Sequence, residues 1–289
     1  MSRYLLAVFV LALCCASGRC PLVSAQNSSP LERSPAYGDS PGPVTIPPWF
    51  AHRVVYYNSF NDSGKAEINA AGFSEPAQIP IATDGFAGTG YACGMRNAFI
   101  LRGDALSVHR PLTLSVWWRL DQDAQIDSGL QVFHLEGRGF ISAFVRGKGT
   151  WCALPKPAAV FQCYNFPRVR NVNGIYDRGI WDKGALRAGL WHHTALTVAS
   201  ASALRLYTDG RPVAKIDVAG RLLSTEDAVR TLYLGNRYGG IPMTLDEVAV
   251  VDRTLTPEEI ARYHHALRQM AQAGYWGLQR AAVSKEAPQ

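Results

Sequence analysis

The stretch LDEVAVVDRTLTPEEI, residues 245–260, joins an apolar run to the start of a helix. Val248 to Val251 are small apolar residues, mostly β-branched, and such a run favours a strand. Thr256-Pro257-Glu258-Glu259 has the pattern of a capping box with proline at the first helical position. Four residues then fall on one face at helical spacing: Ile260, Tyr263, His264 and Leu267. The stretch therefore predicts a strand followed by a helix from Pro257 to about Ala271.

Upstream of this stretch, short apolar runs alternate with turn signals. The runs predicted as strands are Val54–Tyr57, Leu112–Arg119, Gln131–Leu135, Phe140–Val145, His193–Val198, Leu204–Tyr207, Pro212–Ile216 and Thr231–Leu234. Asp209-Gly210 joins two of these runs, and this dipeptide accepts the positive φ angles of a tight hairpin turn. Many short strands with regular turns, and a single convincing helix, predict an all-β sandwich or barrel.

Five short motifs occur in a fixed order along the second half of the chain. They are Ser115-Val116-Trp117, Trp191-His192-His193, Leu206-Tyr207-Thr208-Asp209-Gly210, Leu234-Gly235-Asn236, and Leu245-Asp246-Glu247-Val248 before the acidic start of the helix. In this order they resemble the laminin-G-like, concanavalin-A-like jelly-roll family, over roughly Val54 to Leu267. The resemblance implies an all-β sandwich of two antiparallel sheets with one short C-terminal helix. The stretch from Trp151 to Lys183 departs from the family pattern, and we interpret it as an insertion.

The first 25 residues have the features of a secretory signal peptide. Arg3 precedes an apolar run that is too short to span a bilayer, and Val23-Ser24-Ala25 predicts cleavage before Gln26. Residues 26–50 are rich in serine and proline and predict a disordered linker. We expect the jelly-roll domain at 51–277 and a disordered tail at 278–289. The mature chain is expected to be secreted, periplasmic or on the cell surface, without a transmembrane segment.

The charge of the chain is mildly basic, with a formal net charge of +6. Cleavage at the predicted site removes Arg3 and Arg19 and no acidic residue, so the mature charge is 6 − 2 = +4. The sequence contains no run of lysine and arginine, which argues against nucleic acid as a partner. Weak attraction to acidic surfaces or polyanionic sugars remains compatible with this charge.

Three of the six cysteines follow the predicted cleavage site: Cys93, Cys152 and Cys163. Exported proteins retain disulfides, and Cys152 and Cys163 flank a proline-containing loop that a bond between them would close. Three single pairings are compatible with the sequence, and we predict the pair Cys152–Cys163, with Cys93 as a buried thiol. No cysteine or histidine spacing typical of a zinc site accompanies them.

Aromatic residues and arginines concentrate in the insertion, and Tyr176, Arg178 and Trp181 are the predicted ligand-binding residues. Aromatic rings stack on the apolar faces of sugars, and arginine adds a charge-assisted hydrogen bond. Such a surface would suit a sugar with acidic groups. The alternative is that these side chains cover a small core of the insertion itself.

Calcium is the one metal for which the sequence offers candidate ligands. Asp246 could approach Asp62 or Asp84, because the first and last strands of a jelly roll usually lie side by side. The alternative is that Asp246 accepts hydrogen bonds from the backbone of a turn. Asp121 to Asp127 offers oxygen side chains, but Ile126 stands where an EF-hand loop has glycine. His192 and His193 are adjacent on a predicted strand, so they point to opposite faces and cannot share one ion.

No pair of catalytic carboxylates is predicted. On a regular strand Asp246 shares its face with Val248, and Glu247 shares its face with Ala249, so neither face carries a pair. We therefore expect a secreted, non-catalytic recognition or adhesion module that binds a glycan or an extracellular protein at the cell surface. One alternative is a structural envelope or matrix protein with no discrete ligand. A second is a polysaccharide hydrolase or lyase on the same fold.

Overall fold

The structure is a computed structural model. It describes residues 53–61, 65–76, 80–82, 84–94, 97–107, 110–122, 129–137, 140–146, 158–164, 172–177, 188–199, 203–217, 230–235, 237 and 241–272. These residues all fall within one compact unit, 41–289. The predicted signal peptide, linker and tail lie outside the described residues. Within the described ranges, no helix has the length and hydropathy needed to cross a membrane.

The described part of the chain forms fifteen strands and one α-helix. The strands are β1 (Val54–Asn58), β2 (Ile68–Asn69), β3 (Ile81–Ala82), β4 (Gly90–Cys93), β5 (Phe99–Arg102), β6 (Leu112–Leu120), β7 (Gly129–Glu136), β8 (Phe140–Arg146), β9 (Ala158–Tyr164), β10 (Val172–Asp177), β11 (Trp191–Ala199), β12 (Ala203–Thr208), β13 (Arg211–Asp217), β14 (Thr231–Leu234) and β15 (Met243–Val251). The helix is α1 (Pro257–Gln272), as the capping box predicted.

Two antiparallel sheets contain these strands. The larger has nine strands, in the order β13-β12-β11-β6-β15-β1-β2, with β4 also pairing with β15 and β3 with β4. The smaller has six strands, in the order β10-β9-β8-β7-β14-β5. β1 lies beside β15, with Tyr57 opposite Ala249, so the first and last strands are neighbours. The prediction of a two-sheet all-β sandwich with one C-terminal helix is confirmed.

The main core lies between the sheets. From the nine-stranded sheet, Leu114, Val116 and Trp118 of β6 point into it. From the six-stranded sheet, Phe133 and Leu135 of β7 do so, and all five side chains are buried. Alternation along β6 and β7 thus gives each of these strands an inner, apolar face and leaves the intervening residues on the outer face.

A second apolar cluster lies on the outer face of the nine-stranded sheet, where α1 covers it. Ile260, Tyr263 and Leu267 of the helix pack here on Trp117 and Tyr207. Full burial of one such side chain contributes roughly 1.5–3 kcal/mol, so this contact secures the helix to the sheet. It also explains why Trp117 and Trp118, on opposite faces of β6, are both buried.

The first turn of α1 is fixed by reciprocal hydrogen bonds. The Glu259 backbone N–H donates to Thr256 Oγ1 at 3.3 Å, and the Thr256 N–H donates to Glu259 Oε2 at 2.9 Å. These are the two bonds of a capping box, and they satisfy amide groups that have no partner within the helix. Arg253 also donates two hydrogen bonds to the Glu259 carboxylate, at 2.9 and 2.6 Å.

Replacing Thr256 with alanine is expected to lower the free energy of unfolding by about 1 kcal/mol, because the N-cap oxygen is lost. Thr256→Ser keeps the hydroxyl and is the matched control, with an expected change of a few tenths of a kcal/mol at most. Urea unfolding of both variants measures this. Equal losses from serine and alanine would show that the methyl group, and not the cap, is what matters.

The β12–β13 hairpin turns through Asp209 and Gly210, with φ angles of 49° and 76°. Both are positive, as the Asp-Gly dipeptide predicted. A Cβ at position 210 would also make a tight contact with α1, 3.3 Å from His264. The hairpin tip therefore touches the helix.

The insertion contains two strands that the sequence reasoning did not assign. β9 and β10 pair with each other and extend the six-stranded sheet beyond β8. Tyr176, one of the predicted ligand-binding residues, lies in β10, and Tyr164 ends β9. The Val-Phe-Gln-Cys-Tyr run of β9 has high β-propensity, but the family pattern offers no strand at this place to match it.

Candidate functional site

The outer face of the six-stranded sheet carries a row of polar and aromatic residues. Leu135 and Ile141 point into the core, so their neighbours His134 and Ser142, which pair across β7 and β8, face away from it. On the other side His134 pairs with Tyr233 of β14. The backbone register continues the row from Ser142 to positions 162 and 173, which are Gln162 of β9 and Asn173 of β10. The row thus crosses five neighbouring strands.

His134 is the centre of a hydrogen-bonded group. Its Nδ1 lies 3.2 Å from Gln131 Nε2 and 2.5 Å from Ser142 Oγ. Both neighbours can donate to Nδ1, so the geometry favours the tautomer with its proton on Nε2. Burial lowers the pKa of His134 to about 4, and the positive charge of Arg237 adds to this while Glu136 opposes it. The ring is therefore neutral near pH 7.

One buried polar atom of this hydrogen-bonded group, the side-chain oxygen of Gln131, lacks a described partner. The side chain is buried, and its Oε1 has no hydrogen-bond partner among the described residues. A buried carbonyl oxygen without a partner costs on the order of 1–3 kcal/mol. Because this oxygen is itself buried, it lies beneath the surface that a ligand would contact, and Tyr233 and Arg237 are the accessible members of the row.

Tyr233, Arg237 and Glu136 extend the row with charge and an aromatic ring. The Arg237 guanidinium lies 4.0 Å from the centroid of the Tyr233 ring, and Arg237 Nη1 lies 2.8 Å from Glu136 Oε2. Partial burial alone would raise the pKa of Glu136, but hydrogen bonds from Arg237 and Tyr233 lower it. The Arg237 and Glu136 side chains are 23% and 37% exposed, so solvent and ligands can reach this pair.

The predicted ligand-binding residues fall on or beyond the same sheet. Tyr176 lies in β10 at the sheet edge, and the register connects its position through Val160 and Phe144 to Gln131. The side chain of Tyr176, and the whole of Arg178 and Trp181, lie outside the described residues. Their role in binding stays a prediction, but the position of Tyr176 joins it to the polar outer face.

Asp246, the calcium candidate, accepts hydrogen bonds from backbone groups. The N–H groups of Ala87 and Glu247 lie 3.0 and 2.7 Å from its oxygens. The loop at 84–88 closes tightly over it, since a Cβ at Gly85 would lie 2.7 Å from Asp246 Oδ2. Burial raises the pKa of Asp246 well above its usual range, and Glu247 adds to this. Because backbone N–H groups already occupy its oxygens, the geometry favours the backbone-acceptor interpretation.

Of the other calcium candidates, Asp84 is engaged by an arginine and the rest lie wholly or mostly outside the described residues. Asp84 is 69% exposed and its Oδ2 lies 2.8 Å from Arg119 Nη1. Asp62 is outside the described residues, and so is most of the Asp121–Asp127 loop. Where the structure describes the chain, no three histidine, cysteine, aspartate or glutamate residues cluster as a metal site would require. A calcium site that includes Asp62 stays a prediction.

The carboxyls of Asp246 and Glu247 do not alternate as a regular strand would place them. Asp246 pairs with Trp117 and Ala249 with Ser115, so β15 holds one extra residue at this point, and Glu247 has a φ of 51°. This bulge corrects the strand-alternation argument, because both carboxyls contact the helix-covered side of the sheet. Tyr57 Oη donates to Glu247 Oε2. Both carboxyls are buried, with 0% and 1% exposure, so the pair is closed to a ligand.

Ser115 and His193 form a buried pair that sequence reasoning missed. Ser115 Oγ lies 2.8 Å from His193 Nε2, which is the contact of a serine–histidine nucleophile. His193 is fully buried among Trp117, Tyr263 and His264, and burial lowers its pKa to about 3. Such a pair has no access to substrate. Its place in the cluster under α1 indicates a packing role.

His192 faces the opposite side of β11 from His193, as strand alternation predicted. Its Nδ1 lies 3.0 Å from Asp209 Oδ2, and the same carboxylate accepts from the His193 backbone N–H at 2.8 Å. Asp209 therefore fixes the start of β11 to the hairpin turn.

Cys93 is a buried thiol, and its Sγ donates to the backbone oxygen of Asn97 at 2.6 Å. Cys163 lies in β9, where its backbone pairs with Ile141 and Val172. Cys152 is outside the described residues, so the bond between Cys152 and Cys163 stays a prediction.

A family model described as the concanavalin A-like lectin/glucanases superfamily, Laminin_G_3, matches residues 96–261. The match takes in more than half of the 289 residues, from just before β5 to the first turns of α1. The chain belongs to this family. Laminin_G_3 membership confirms the resemblance found in the five sequence motifs. No curated protein sequence is similar enough to match the chain.

Solved structures with the same fold include binding domains of bacterial toxins. The binding domain of Paraclostridial Mosquitocidal Protein 1 superposes with a TM-score of 0.56 at 14% identity, over 74% of this chain and 52% of that one. The binding domain of Botulinum Neurotoxin DC in complex with SialylT gives a TM-score of 0.54 at 13% identity, over 74% and 52%. The Laminin_G_3 chain thus spans about half the length of these toxin domains.

A third similar structure is a domain of comparable size. It is domain 4 of AbnA, a GH43 extracellular arabinanase from Geobacillus stearothermophilus, in complex with arabinotriose. The TM-score is 0.52 at 16% identity, over 73% of this chain and 98% of that one. At these identities the likeness establishes the fold alone.

Proposed function

We propose that this Laminin_G_3 chain is a secreted, non-catalytic recognition module that binds a glycan or a protein at the cell surface. The ligand contacts the outer face of the six-stranded sheet. The observation that carries the proposal is the polar row centred on His134, with Tyr233 and Arg237 at its accessible end.

The composition of this row supports a binding role. Burying polar groups costs free energy unless they are hydrogen-bonded, and Gln131 keeps a buried oxygen without a described partner. A sheet that needed only stability could place apolar or fully solvated side chains here. Tyr233 under the Arg237 guanidinium provides a ring and a charged donor, which suit the apolar face and the hydroxyl groups of a sugar.

The similar structures add support of a general kind. Two are described as binding domains of toxins, one of them in complex with SialylT, and a third is a domain of an arabinanase in complex with arabinotriose. They illustrate that sandwiches of this fold serve as recognition modules for sugars. They do not transfer their own ligands to this chain.

The non-catalytic part of the proposal rests on the carboxyls. A glycosidase needs two carboxyl groups that flank one open sugar bond. Asp246 and Glu247, which adjoin each other, are both buried. On the polar row, Glu136 is engaged by Arg237. Among the described residues, therefore, no carboxyl pair opens onto the proposed binding face.

The proposal is tested with the mature chain from Gln26 on a glycan array and a panel of extracellular proteins, followed by calorimetric titration of the best ligand. Tyr233→Ala combined with Arg237→Ala is expected to weaken that ligand by about 10-fold or more, because stacking and a charged donor are lost together. Arg230→Ala, an exposed arginine one residue before β14, is the control and should leave Kd within about twofold.

Three results would count against the proposal. If the folded protein binds no glycan and no protein, the alternative of a structural envelope or matrix protein is favoured. If the protein instead cleaves a bound polysaccharide, the non-catalytic part is wrong. Loss of binding with Arg230→Ala as large as with the double variant would place the site elsewhere.

A further inference from the structure

Exposed basic residues gather where α1 meets the β12–β13 hairpin. Arg211 follows the hairpin turn, and His265 and Arg268 lie three residues apart on α1, on one side of the helix. All three are exposed. The hairpin tip touches the helix at Gly210 and His264, which brings Arg211 next to the other two. We call Arg211, His265 and Arg268 the basic corner.

The charges of the basic corner all act on His264, the residue of α1 that touches the hairpin tip. Burial lowers the pKa of His264 to about 4, Asp209 opposes this, and Arg268, His265 and Arg211 each lower it further. Asp209, the acidic group nearby, is already engaged by His192 and the His193 backbone. Within the described ranges, neither Arg211 nor Arg268 forms an ion pair. Each guanidinium group is therefore without a fixed counter-charge from the described part of the chain.

The residues around the basic corner argue against a membrane surface or a nucleic acid as its partner. The exposed positions on the last three turns of α1 are Arg262, His265, Arg268 and Gln272. None is a large apolar residue, whereas a helix that binds a membrane interface inserts apolar side chains. The exposed large apolar residues of the described chain are Ile81 and Leu190, and neither belongs to this corner. Among the described residues of this corner, no phenylalanine, tyrosine or tryptophan is exposed for stacking of nucleic acid bases.

We propose that the basic corner binds an anionic polysaccharide through its sulfate or carboxylate groups. Arginine presents a planar fork of donors that matches such groups with two parallel hydrogen bonds. The surface lies on the helix-covered side of the nine-stranded sheet. It is therefore separate from the polar row of the six-stranded sheet, and a ligand there would be a second one.

The test measures binding of heparin, a sulfated polysaccharide, by the mature chain at several salt concentrations. Arg211→Gln combined with Arg268→Gln is expected to weaken binding by about 10-fold at low salt. It should also reduce the slope of log Kd against log salt by about two, because each basic contact with a linear polyanion contributes about one. Arg53→Gln combined with Arg110→Gln removes the same charge from other exposed positions and should change Kd by less than about twofold.

Equal losses in both double variants would overturn the proposal, since net charge alone would then explain binding. Unchanged binding in the Arg211/Arg268 variant would overturn it as well. Tighter binding to vesicles of phosphatidylserine and phosphatidylcholine than to heparin would identify a membrane surface as the partner instead. The Tyr233/Arg237 variant should bind heparin as the wild type does. The heparin experiment therefore tests the basic corner even if the polar row proves not to bind a ligand. Loss of heparin binding in that variant would move the polysaccharide to the six-stranded sheet.

Discussion

Glu247→Gln is expected to stabilise the protein above pH 8 and to have little effect near pH 4.5. Burial raises the pKa of Glu247 to about 8, with the hydrogen bond from Tyr57 acting against the rise and Glu67 adding to it. In the unfolded chain the carboxyl ionises near 4.5, its ordinary value. Between these values the unfolded state has lost the proton and the folded state retains it. The free energy of unfolding therefore falls as the pH rises from about 4.5 to about 8, because the unfolded chain releases this proton and the folded protein does not.

The size of the effect follows from the width of the window. Each pH unit across it lowers the free energy of unfolding by about 1.4 kcal/mol, so the wild type loses several kcal/mol by pH 8, about 5 at most. Glutamine has the same shape, still accepts the Tyr57 hydroxyl, and carries no charge at any pH. The variant should therefore escape most of this loss, while Asp246 retains its own dependence in the same direction.

The measurement is urea unfolding of both proteins at pH values from about 4.5 to 9. Asp252→Asn is the control, because that carboxyl is 44% exposed on the adjoining turn and its replacement should change stability little at any pH. A variant that becomes less stable than the wild type at pH 9 would contradict the prediction. That outcome would mean that the ionised carboxylate has a compensating partner in the folded protein.

The bulge that creates this carboxyl pair marks a limit of sequence reasoning. The Asp-Gly turn at 209–210 and the capping box at 256–259 were predictable, because each is local and uses the residues that its backbone requires. Glu247 adopts a positive φ without being glycine, and a sequence carries no signal for that. The extra residue became visible only through the pairing of β15 with β6.

The polar row was missed for a related reason. His134, Ser142 and Tyr233 come from three strands, and only the register of β8, β7 and β14 places them side by side. Periodicity along one strand predicts which residues face outward, but not which strands are neighbours. Tyr176 of the predicted site lies in β10, the strand at the edge of this face, and its role in binding stays a prediction.

Trp117→Ala is expected to lower the free energy of unfolding by about 3–5 kcal/mol, the range for removal of a large buried aromatic side chain. The indole is 1% exposed. It stacks between Phe86 of the 84–88 loop, at a centroid distance of 3.7 Å, and His264 of α1, at 5.0 Å. The side chain thus joins three elements that approach each other only on the outer face of the nine-stranded sheet. Its loss leaves a cavity that none of them can close alone.

Because Trp117 contacts α1, its replacement should loosen the helix more than the rest of the domain. Trp117→Phe keeps a ring between Phe86 and His264 and should lose about half as much stability, so it separates stacking from volume. Trp118→Phe changes the main core on the other face of β6 and serves as a second control. Hydrogen exchange should show faster exchange of the α1 amides in Trp117→Ala than in Trp118→Phe. Trp117 packs against the helix, whereas Trp118 lies in the main core. A loss below about 1 kcal/mol, or equal exchange of α1 in both variants, would mean that Ile260, Tyr263 and Leu267 dock the helix without the indole.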